Sequence, residues 1–97
     1  MDETLLIEKL SEYLSIAPKL LVLSPAADYR RANQLALELA VWLPADLYRQ
    51  MGQSIADPTK QCNPLTVIVN ARKRYGGNDS LDVDSIIHHA PNIGRKP

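Results

Sequence analysis

Seven prolines punctuate this chain of 97 residues. They constrain its fold more than any other feature, because each removes a backbone N–H and pins φ at about −65°. Proline is tolerated at the first position of a helix, where its missing N–H would be unpaired anyway, and a Ser, Asp or Asn just before it can cap the exposed amides. Ser24-Pro25, Asp57-Pro58 and Asn63-Pro64 fit this rule as helix starts. Leu43-Pro44 is a fourth, weaker instance in which Pro44 stops one helix and starts the next. No internal repeat or low-complexity tract competes with this punctuation.

Apolar spacing between the breaks predicts helices. Over residues 2–14, Leu6, Leu10, Tyr13 and Leu14 share one face, while Glu8, Ser11 and Glu12 lie off it. Over 25–43 the stripe is Ala32, Leu35, Ala36, Leu39 and Leu43, and the small Ala32, Ala36 and Ala40 would let a neighbouring helix approach closely. Leu37, Val41 and Trp42 extend the apolar surface around the second half of that helix. A third helix over 44–56 carries Leu47, Met51 and Ile55 at four-residue steps.

The segment 65–75 is ambiguous, since Leu65-Thr66-Val67-Ile68-Val69 is β-branched and short enough for a buried strand. Capping favours helix. Asn63 and Pro64 form a proper start, Arg72, Lys73 and Arg74 suit the negative end of the helix dipole, and Gly76 or Gly77 can end it. Asp82 or Asp84 can start a short helix through His88, closed by Pro91. The expectation is therefore an all-α compact bundle of about five short helices, one domain over 1–92 with a tail at 93–97. The alternative is a small α/β fold with two short paired strands near 19–23 and 65–70.

Hydrophobic residues at 45% and charged residues at 23% match an ordinary globular domain and argue against disorder driven by charge. Eleven basic residues balance eleven acidic ones. That neutrality argues against a generic polyanion binder working through an overall positive field and leaves only a local patch for nucleic acid. The single Cys62 cannot form an intramolecular disulfide, and the acidic Met1-Asp2-Glu3 start is not a signal peptide. No apolar stretch approaches the roughly 20 residues that span a bilayer. A cytoplasmic setting with no membrane segment is the expectation.

No constellation of catalytic residues emerges. Asp84 and His88 stand four apart, and His89, Asp82 and Cys62 could join them, but two histidines and one cysteine match no paired-ligand pattern of structural zinc. Nothing in the sequence places Cys62 beside a histidine as nucleophile and base. Gly76-Gly77-Asn78 lacks the downstream Lys-Ser or Lys-Thr of a phosphate loop. No catalytic residue, metal or cofactor is assigned, and the chain is not expected to be an enzyme.

Two surfaces remain. Leu37, Val41 and Trp42 lie off the central stripe; uncovered, they would form a contact for a protein partner or for a second copy in a homo-oligomer. Covered by surrounding helices, they would simply be core. Arg72, Lys73 and Arg74, with Tyr75 beside them and Arg95-Lys96 downstream, are candidate phosphate contacts of a nucleic-acid binder. The helices 44–56 and 64–75 resemble a helix-turn-helix only loosely, because their connection exceeds the usual 3–4-residue turn and the cations sit at the wrong end of the second helix. The interaction reading is the stronger expectation.

Overall fold

A computed structural model describes residues 1–21 and 23–75. Four α-helices run through them: α1 (Glu3–Ile16), α2 (Ala26–Trp42), α3 (Ala45–Ala56) and α4 (Pro64–Tyr75), with one 3-10 turn, Ala17–Lys19, after α1. The fold is an all-α bundle. No strand occurs among the described residues, so neither segment of the α/β alternative is extended into a sheet. The expected fifth helix near residues 82–88 and the tail at 93–97 lie outside the described residues.

Local chemistry sets each boundary. Asp2 caps α1 by accepting the amide of Leu5 at 2.8 Å. Pro25 and Pro44 stand one place earlier than expected, as N-caps with ψ of 141° and 142° rather than as first helical residues. Ser24 accordingly does not cap α2, and its hydroxyl accepts the Leu21 amide at 2.8 Å. Leu43 takes an extended ψ of 140°, as the clash of a following proline demands, and this turns the chain between α2 and α3. Asp57-Pro58 starts no helix. Asp57 is the C-cap of α3, with φ −151° and ψ 73°, so there Pro58 acts as a stop.

Packing follows from the stripes. α1 lies chiefly against α2 and also against α4, while α3 packs mainly on α4 and less on α2. Leu6, Leu10 and Leu14 of α1 meet Leu39 and Leu43, Leu47 and Met51, and Val67 and Ala71 in one core. Each fully buried large apolar side chain contributes about 1.5–3 kcal/mol. Tyr13, Tyr48 and Ile55 close the edge of this cluster half-buried, with the Tyr48 hydroxyl donating to the Ala36 carbonyl. The expected series of small residues on α2 is only partly inward: Ala32 is buried and Ala36 half-buried, but Ala40 faces out.

A polar seam registers α1 against α2. Arg31 donates two hydrogen bonds to the Glu12 carboxylate, at 2.6 and 2.7 Å. Lys9 Nζ lies 2.5 Å from Glu38 Oε2, an oxygen closed to water, and Gln34 donates to the other Glu38 oxygen. The hydrogen bond from Arg31 holds Glu12 below the ordinary glutamate value, and those from Lys9 and Gln34 do the same for Glu38. Depressed carboxylates bind protons less readily in the folded than in the unfolded chain. Their contribution is therefore present above the ordinary value near 4.5 and is lost as pH falls through the lower folded values. Thermal unfolding followed from pH 7 to 3 should show the midpoint dropping in that acid window, and Glu38→Gln should make the drop shallower.

Candidate functional site

Helix α2 carries the first candidate surface, and its own periodicity explains it. Ala32, Leu35 and Leu39 point into the bundle, which turns the residues two places beyond Leu35 and Leu39 outward on a 3.6-residue repeat. Leu37 is accordingly 70% exposed, Val41 73% and Trp42 52%. Leu37 and Val41 stand four residues apart on one side of the helix, with the exposed Ala40 between them in sequence, while Trp42 is turned about 100° from Val41 toward the flank of the helix. Among the described residues no helix covers them.

Sequence reasoning missed two further apolar residues near the start of the same helix. Leu21 is 71% exposed and Leu23 94%. The backbone at Leu21 is held by Ser24, which donates its amide to the Leu21 carbonyl, and by the Tyr29 hydroxyl, which donates to that same carbonyl. The run 19–23 is ambiguous between helix and strand, and neither reading places Leu21 and Leu23 in water.

The basic cluster sits where the sequence places it, on the last turn of α4, and Arg72, Lys73 and Arg74 are all exposed. The three are not equivalent. Arg74 Nη2 reaches Asp46 Oδ2 on the first turn of α3 at 2.5 Å. Desolvation pushes the Asp46 carboxyl upward, but the Arg74 hydrogen bond and the amides of Leu47 and Asp46 outweigh it, so the group titrates below its ordinary value. Beside this pair, Lys73, Gln50 and Asn70 line a polar cleft between α3 and α4, and Asn70 Nδ2 donates to Gln50 Oε1 at 2.8 Å. A cluster with a partnered cation and an acid at its mouth attracts phosphate less than three open cations would.

Cys62 is half-buried in the connection between α3 and α4, where its thiol donates to the Gln50 carbonyl at 3.4 Å. It faces a main-chain acceptor. Asp82, Asp84, His88 and His89, considered above with Cys62 as metal or catalytic partners, lie outside the described residues, as do Gly76-Gly77-Asn78 and Arg95-Lys96. Among the described residues no group of three His, Cys, Asp or Glu side chains converges to hold a metal ion. Among the same residues no helix is long and apolar enough to cross a membrane.

Comparison with models of known families, with curated proteins and with solved structures finds no match to this chain. The functional reading therefore rests on the surfaces just described.

Proposed function

We propose that this chain is a small helical interaction module of the cytoplasm that contacts another protein or a second copy of itself through the outer face of α2. The observation behind this reading is the exposure of Leu37, Val41 and Trp42 together on one helix whose opposite side already fills the core. Exposed leucines are ordinary when scattered; here Leu37 and Val41 are neighbours at four-residue spacing, and tryptophan, a residue enriched in contact centres, is half-exposed on the same helix. The basic cluster supports nucleic-acid binding less well, because Arg74 is paired with Asp46 and the cations occupy the C-terminal end of their helix.

Magnitude limits what this surface can do alone. Covering three side chains that are already partly shielded gains about 3–5 kcal/mol at common transfer values. Association itself costs at least about 4 kcal/mol in lost translational and rotational freedom. The patch therefore anchors a larger contact or supports a weak one; in a pair of copies both patches are covered, about 6–10 kcal/mol together, so self-association is expected at high micromolar to millimolar concentration. Light scattering on the full chain from micromolar to millimolar concentration should show mass rising with concentration. The triple variant Leu37→Ser, Val41→Ser, Trp42→Ser should stay at monomer mass while keeping its helical circular dichroism, since exposed substitutions shift stability by only about 0.5 kcal/mol each. Association unchanged in that variant, or abolished instead by neutralising Arg72, Lys73 and Arg74, would remove α2 as the contact.

A further inference from the structure

A groove of about 580 Å³ runs between the end of α1 with its 3-10 turn and the first turn of α4. It shares no residue with the outer face of α2. Leu14 and Pro18 form one wall, and Pro64, Leu65 and Ile68 the other. The volume falls within the roughly 300–1,000 Å³ of sites that hold small molecules, and such sites are mostly apolar with a few placed polar groups.

The polar atoms along this groove narrow the ligand. Asn63 Oδ1 is occupied by the amides of Leu65 and Thr66, and its Nδ2 by the carbonyl of Thr59. The Ser15 hydroxyl donates to the Glu12 carbonyl oxygen. Among the described lining residues, the side-chain polar groups not engaged in this way are the Ser11 hydroxyl and the ammonium of the exposed Lys19, the one charged side chain of that set. Glu12, the acid nearest in sequence on α1, is neutralised by its two-pronged pair with Arg31.

Such a lining rejects most ligand classes on elementary grounds. A sugar, a nucleotide or an extended peptide would bury donors and acceptors that find no partners, at about 1–3 kcal/mol for each one stranded. None of the described lining residues is aromatic, so a flat ring gains no stacking from them. A flexible aliphatic chain strands no polar group, and each methylene it buries is worth about 0.8 kcal/mol. A single carboxylate complements the single ammonium. We propose that this groove binds an aliphatic monocarboxylate, its chain lying along Leu14, Pro18, Leu65 and Ile68 and its carboxylate meeting Lys19.

Decanoate, kept below its micellar concentration, is the probe. Titrated into the full chain and followed by methyl-resolved NMR, it should bind saturably and shift the methyl groups of Leu14, Leu65 and Ile68. Decanol, with the same chain length and no charge, should bind threefold to tenfold more weakly, and Lys19→Glu should weaken decanoate about tenfold, the equivalent of 1.4 kcal/mol. Should Lys19→Glu fail to fold, the decanol comparison on the unaltered chain decides alone. Non-saturable binding, equal affinity for decanol and decanoate, or shifts centred on Leu37 and Val41 would each overturn the assignment. So would a response to an acidic amphipathic peptide with none to decanoate.

Discussion

Leu39→Ala should lower the free energy of unfolding by about 3–4 kcal/mol, the upper part of the range for leucine truncation in a packed core. Leu39 has no measurable exposure and sits in the core cluster with residues of α1, α3 and α4. Alanine in its place removes three heavy atoms from a site with partners on every side, and rigid helices on those sides collapse into the space only in part. A chain of this length has a stability of roughly 5–15 kcal/mol, so one such loss is a large share of the whole. Urea unfolding read by circular dichroism should show a lower midpoint with an unchanged slope. Leu37→Ala is the internal control: the same change, two residues earlier on the same helix, at a side chain 70% exposed, should move stability by no more than about 0.5 kcal/mol. A loss below about 1 kcal/mol for Leu39→Ala, or equal losses at the two sites, would mean that α2 presents a different face to the core.

That pair also shows what the sequence makes legible. Helix faces were readable because burial repeats every 3.6 residues: the stripes through Leu6, Leu10 and Leu14, through Leu35, Leu39 and Leu43, and through Leu47 and Met51 all turn inward. Prolines marked breaks reliably but gave their sense less well, because the same ring starts a helix at Pro64, precedes one at Pro25 and Pro44, and follows one at Pro58. The deciding chemistry is a competition for amides. At Ser24 the hydroxyl is drawn to Leu21, whereas at Asn63 the side chain stays with the helix that follows it.

The strand-like appearance of α4 has its own cause. Val67, Val69 and Ala71 are all buried, an alternation that mimics the two-residue period of a strand. It arises here because α4 lies against both α1 and α3, so more than one side of the helix leaves water. A helix buried on several sides loses the single stripe by which helices are recognised. The surfaces were harder to read for a related reason. Whether Leu37 and Val41 are core or contact depends on how many neighbours surround α2, and no property of α2 alone contains that number. The groove beside Pro18 and Pro64 was not legible at all, since it is made by two segments some fifty residues apart.

Asn63→Ala should lower stability by about 1.5–2 kcal/mol, at the high end for loss of a helix cap. Its side-chain oxygen accepts two of the otherwise unpaired amides of α4, Leu65 at 3.0 Å and Thr66 at 3.1 Å. Thr66 returns the interaction: its hydroxyl accepts the Asn63 amide at 2.8 Å and lies the same distance from the Asn63 carbonyl. This is the reciprocal arrangement of a capping box, with threonine in the place usually held by Glu or Gln. The Asn63 Nδ2 group adds a bond to the Thr59 carbonyl at 2.9 Å, tying the α3–α4 connection to the cap. Alanine removes these side-chain bonds together with a longer one from Nδ2 to the Lys60 carbonyl at 3.5 Å, strands two amides and releases the connection at once. Aspartate keeps the acceptor but not the donor, so Asn63→Asp should recover the larger part of the loss through its oxygens and through favourable charge at the helix start. Equal destabilisation by alanine and aspartate would assign the effect to the bond with Thr59, and no effect from either would mean that α4 is held by its buried face alone.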